Sequence, residues 1–177
     1  MKLFDVIRSA GRGEIVATLA SEAGVGRDAA EQALHALLPE IGRAIRRSGE
    51  SGAGVAAVDA ALRDERYGRY LEDPAALREP AAATDGERVL AEVLDHGQRD
   101  QMVRQAAAAS GQSEADLRKM LPLVATLAMA AAGKRLREPS PEIPWFGTRQ
   151  SDQFDAPLLN ALAALFEHDE KPPQKAD

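Results

Sequence analysis

The stretch "SEAGVGRDAAEQAL", Ser21 to Leu34, holds the corner on which the fold turns. Ile15, Val16, Leu19, Ala20 and Ala23 precede it at helical spacing, and Gly24 stands where a left-handed helix cap belongs. From Asp28 onward Ala30, Ala33, Leu34, Leu37, Leu38, Ile41, Ala44 and Ile45 form one apolar stripe. Arg43, Arg46 and Arg47 close its last turn favourably against the helix dipole. The pattern is therefore a short helix, a tight corner and a long helix kinked near Pro39. DNA-reading helix-turn-helix units share this pattern, but so does any sharp junction between two helices.

The same pattern occurs a second time. With Ile15-Val16 set over Met102-Val103, Gly24 falls on Gly111, Leu34 on Leu121, Leu37 on Val124 and Ile41 on Ala128, without a gap. Identities are few, so the shared pattern carries the comparison. Ser113 takes the capping position of the second long helix, which runs to Leu136. Two helical hairpins that bury their stripes against each other account for both halves, the second supplying the more apolar and more central helix.

Between and around the repeats the signals are weaker. Phe4, Val6, Ile7 and Ala10 make a short first helix that stops at Gly11 and Gly13. "RRSGESGAG" reads as a flexible break, "GAGVAA" at Gly52 to Ala57 as linker, and "VAAVDAALRD" as a helix. Tyr67, Tyr70 and Leu71 anchor a segment of short helical turns. Asp85-Gly86 marks a turn before a helix from Glu87 to Asp95, "DHGQ" ends that helix, and Arg99 to Ser110 forms the next. The expected domains are a helical unit over 1–137, a proline-rich linker over 138–153, an amphipathic helix over 154–169 and a disordered tail over 170–177.

"VATLASEAGVGRDAAEQALHALLPEIGRAI", with "TDGERVLAEVLDHGQRDQMVRQAAAASGQSEADLRKMLPLVATLAMAAAGK", resembles the bacterial YidB-like family, a group of unknown function, from about Met1 to Leu136. No one motif is specific; the order and spacing are. The resemblance implies an all-α, homeodomain-like orthogonal helical bundle, and it brings no catalytic residue, cofactor or ligand. The C-terminal segment departs from that pattern by carrying a distinct helix after the two pseudo-repeated hairpins.

Composition narrows the function. There is no cysteine, which removes disulfides, thiolate metal sites and a thiol nucleophile, and fits a cytoplasmic location. The N-terminus carries charge where a signal peptide needs an apolar run, and the apolar run Leu121 to Gly133 falls short of the roughly 20 residues of a membrane span. A net charge of −6 argues against general nucleic-acid binding.

At the first corner the outward residues are Arg27, Asp28, Glu31, Gln32 and His35; at the second, Glu114, Asp116, Arg118 and Lys119. A phosphate backbone repels the acids in both sets, so each corner reads as structural rather than as a DNA reader. His35, His96 and His168 lie on different elements, and the one helical pair, Glu31 with His35, falls short of the three or four donors of a zinc site. No phosphate loop or nucleophile elbow is present. Catalytic, metal and cofactor-binding residues are thus expected to be absent.

The remaining candidate is an interaction face. Phe154, Leu158, Leu159, Leu162, Leu165 and Phe166 fall on one stripe of the C-terminal helix, and exposing that stripe to water is unfavourable at about 25 cal/mol per Å². It must dock on its own domain, on a second copy or on another protein. The acids Asp155, Glu167 and Asp169 on the polar face argue against a membrane. The expectation is a non-catalytic protein-interaction or scaffold module; the alternative is a DNA-associated protein using the corner within residues 15–47.

Overall fold

The computed structural model describes residues 3–48, 52–137 and 166. Among them there is no strand, and the chain runs α1 (Leu3–Ser9), α2 (Ile15–Ala23), α3 (Arg27–Ser48), α4 (Gly52–Arg63), α5 (Arg69–Glu72), α6 (Pro80–Val93), α7 (His96–Ser110) and α8 (Glu114–Arg137). Single helical turns at Ala10–Gly13, Glu65–Gly68 and Pro74–Arg78 join neighbouring elements. The all-α bundle expected from the sequence is the observed architecture.

Both corners form as the repeat predicts. Gly24 (φ 72°) and Gly111 (φ 70°) adopt the left-handed conformation that ends α2 and α7, a region that costs any side-chain-bearing residue strain. Val25 N–H then closes on the Ala20 carbonyl at 2.9 Å. Ser113 Oγ accepts from the Asp116 N–H at 3.1 Å to start α8. The hairpins are interleaved: α3 packs on α7, α2 packs on α8, and α3 packs on α8. Gln112 donates across the two corners to Gln32 at 2.9 Å.

α8 is the axis of the bundle. Each of the other seven helices touches it, and every residue from Leu123 to Gly133 is buried. A helix surrounded in this way cannot be amphipathic, and the run "ATLAMAAAG" meets that requirement with side chains short enough to let several backbones come close. The tightest approach is made by α6. A Cβ at Gly86 would overlap the backbone carbonyl of Pro122, and one turn along the antiparallel pair Thr126 Oγ1 donates to the Ala82 carbonyl at 2.6 Å.

Three sequence expectations are corrected, the first by this crossing. Asp85-Gly86 is not a turn: it lies inside α6, which starts earlier at Pro80, a residue suited to the first helical position. Its glycine serves proximity to α8, which mimics a turn signal in the sequence. "DHGQ" starts a helix instead of ending one, because the Asp95 carboxylate accepts from the Gln98 N–H at 2.7 Å and the Gln98 amide oxygen accepts from the Asp95 N–H at 3.0 Å, a reciprocal capping box. "GAGVAA" is not linker but the first half of α4, where Gly54 fits against Ser48 at the end of α3.

Gly86→Ala should therefore lower stability by roughly 1–3 kcal/mol, since the clash is with backbone and cannot be relieved by a rotamer change. Gly68→Ala, at a helical glycine (φ −55°) with open space around its Cα, should stay within about 0.5 kcal/mol. Urea midpoints of the two variants test the contrast.

Candidate interaction face and polar clusters

The corner residues expected to face outward do so, but their cations are spent on local carboxylates. Arg27 pairs with Glu31 at 3.4 Å and donates to the Gly13 carbonyl at 3.4 Å. Arg118 bridges Glu114 at 3.2 Å and Asp100 at 3.1 Å, and Lys119 stands 4.0 Å from Asp116. A recognition helix needs its donors available to phosphates and base edges, and these are engaged by neighbouring acids. Glu31 pairs with Arg27, while His35 stacks on the Phe4 ring with centroids 3.7 Å apart. The Glu31–His35 pairing read from the sequence gives way to these two contacts. Among the described residues no cluster of three potential metal ligands exists.

A buried polar cluster joins the α5 region to α6. The chain's two tyrosines direct their hydroxyls to one residue: Tyr70 donates to Asp85 Oδ2 at 2.8 Å and Tyr67 to the Asp85 backbone carbonyl at 3.2 Å. Their rings meet edge to face at 6.1 Å. Asp85 is 6% exposed, and Arg88 lies 3.6 Å from its other oxygen. Arg69 donates to Tyr70 at 3.2 Å and pairs with Glu79 at 3.0 Å. Burial pushes the Tyr67 hydroxyl up to about 12, helped by the Asp85 charge, and burial likewise raises Tyr70. Both phenols stay neutral donors at ordinary pH. The group clamps the segment 65–78 onto α6, which in turn lies on α8. The sequence shows the tyrosines as anchors but hides their acceptor, because Asp85 sits in the Asp-Gly pair that resembles a turn.

Tyr70→Phe should cost about 1–3 kcal/mol, because it strips a buried carboxylate of its donor. Tyr67 predicts an alkaline limit. Its folded-state pKa lies above the unfolded value of about 10, so its contribution is complete below about pH 10 and is lost as pH rises towards about 12. Urea midpoints across that window should fall more steeply for the native chain than for Tyr67→Phe.

A cleft of about 390 Å³ opens between α3 and α7, lined by Glu40, Arg43, Arg47, Gln98, Gln101, Met102 and Gln105. The glutamines recur along one face of α7, a spacing the sequence carried unnoticed. Glu40 is 7% exposed and ion-paired with Arg43, and the Gln98 side chain is committed to the capping box. No lining residue among those described is a serine, cysteine, histidine or tyrosine.

On the other side of α3, away from its core stripe, Pro39 and Gly42 are buried. The occupant over Gly42 is Phe166, itself fully buried; a Cβ at position 42 would overlap the Phe166 side chain. Of the candidate interaction face, Phe166 is thus seated on α3, while Phe154, Leu158, Leu159, Leu162 and Leu165 lie outside the described residues, as do His168, the 138–153 linker and the 170–177 tail. The sequence offered one signal for this seat: a glycine in the middle of a long helix, which costs about 1 kcal/mol relative to alanine and needs a packing reason.

No described helix is long and apolar enough to cross a membrane. Residues 5–135 match the family model described as "Bacterial protein of unknown function (DUF937)". Comparison with curated proteins and with solved structures found no match.

Proposed function

The chain belongs to the bacterial DUF937 family, and we propose that it acts without catalysis, as a cytoplasmic protein-interaction module that docks an amphipathic helix on the outer side of α3. One observation carries this reading. Phe166 lies 29 positions beyond Arg137 and outside the matched span, yet it is fully buried over Gly42. A large aromatic knob in a seat formed by a glycine is how helix-in-groove recognition is built: the missing side chain on one helix makes room for the anchor of another. The polar clusters support a non-catalytic role, since the Tyr67–Tyr70–Asp85 group is enclosed by its own hydrogen bonds and Glu40 by its ion pair. The engaged cations at both corners weigh against DNA as the partner.

Gly42→Leu fills the seat from within. Partner proteins captured by the full chain from native cell extract should be lost with this variant while far-UV circular dichroism is unchanged. Equal capture by both proteins would place the interface elsewhere. Random-sequence duplex should give no saturable anisotropy change at low salt, where even non-specific binders register; a saturable rise would favour the DNA-associated alternative.

A further inference from the structure

The cleft between α3 and α7 has two walls of different character. From α3 come Glu40, Arg43 and Arg47, with the two arginines one helical turn apart. From α7 come Gln98, Gln101 and Gln105 on one face, above the buried side chain of Met102. Glu40 is buried and ion-paired with Arg43. Arg47 is exposed and has no hydrogen-bond or ion-pair partner among the described residues. Two acids in the first turns of α7 are committed elsewhere: Asp95 accepts from the Gln98 N–H at 2.7 Å, and Asp100 pairs with Arg118 at 3.1 Å. The described lining thus carries one net positive charge, in a chain whose net charge is −6. With carboxylates in such excess, a guanidinium that meets none of them inside a cleft is suited to the anion of a ligand.

We infer that this cleft binds a small polar ligand bearing one oxyanion, a phosphate monoester or a carboxylate, on a hydroxyl-bearing frame. Arg47 receives the oxyanion through its fork of N–H donors. The Gln101 and Gln105 amides each offer two donors and an acceptor without charge, which suits hydroxyl groups. Gln98 adds only its amide donors, because its oxygen already accepts from the Asp95 N–H at 3.0 Å. Met102 gives an apolar floor for the carbon skeleton, and the Glu40 ion pair fixes the Arg43 guanidinium beside it. The volume of about 390 Å³ stands near the lower end of the roughly 300–1,000 Å³ of small-molecule pockets, which fits a ligand of about the size of a single sugar. The site is independent of the helix docking proposed at Gly42.

Glucose 6-phosphate and glucuronate carry the two oxyanions on one pyranose frame, with glucose as the neutral control and inorganic phosphate as the bare anion. Each is titrated into isotope-labelled full-length protein, where the side-chain amide signals of Gln98, Gln101 and Gln105 report occupancy. At least one of the two sugar anions should shift all three signals saturably, and the tighter of the two identifies the oxyanion. Arg47→Gln should weaken that binding roughly 10–100-fold, the loss of one charge-assisted contact, and Arg47→Lys should recover only part of it, having the charge without the fork. No saturable shift with either sugar anion would overturn the site, as would unchanged affinity in Arg47→Gln. Glucose binding as tightly as the better anion would remove the role of Arg47, and inorganic phosphate binding as tightly would remove the role of the glutamine wall; either result overturns the inference.

Discussion

The fold depends on how closely two backbones approach where α6 crosses α8. At Gly86 and Pro122 no side chain separates the helices, and the Thr126 hydroxyl ties the next turn to Ala82. Because α6 is drawn in so far, Asp85 is carried below the surface beside it, and its carboxylate and carbonyl become the acceptors for Tyr70 and Tyr67. Those tyrosines hold the short turns between α4 and α6. A chain of dependencies thus runs from one missing Cβ to a buried hydrogen-bonded cluster, and from there to the placement of a segment with little regular structure of its own. Tyr67, Tyr70 and Asp85 are buried, so a placement of the segment that left either hydroxyl without its acceptor would cost the desolvation of that group.

How much of this was legible in the sequence follows from the range of the physical cause. The corners at Gly24 and Gly111 were readable because a left-handed residue followed by a stripe is a local signature, decided within a few positions. The central place of α8 was readable from its unbroken apolar run. Gly86, Gly54 and Gly42 share one reason for being illegible: each owes its identity to a residue of another element that packs directly on it, respectively Pro122, Ser48 and Phe166. Locally such a glycine is indistinguishable from a breaker. The "DHGQ" junction fell between these cases, since its capping box was written in the sequence but the glycine beside it drew the eye to termination.

The two sides of α3 illustrate how one helix serves several demands. Its core stripe from Ala30 to Ile45 belongs to the bundle, Glu40, Arg43 and Arg47 border the polar cleft towards α7, and Gly42 receives Phe166. Proline and glycine weaken a helix by propensity alone. Both are tolerated here because α3 is held along its length by α2, α7 and α8. Packing supplies what intrinsic preference lacks, and the resulting bare surface is what an aromatic side chain can occupy.

The position of the axis in the chain has a consequence for biosynthesis. α8 is the last helix of the family domain, yet it is the surface on which the seven earlier helices converge. A ribosome delivers those seven first, with apolar stripes and no common core to cover them, so the domain is held back from its native packing until the final two dozen residues emerge. The interleaving of the hairpins sharpens this: α2 and α3 pack on each other, but α2 also awaits α8, and α3 awaits α7 and α8. During translation the stripes that α8 covers in the native fold therefore stay without their final partner until that helix is made.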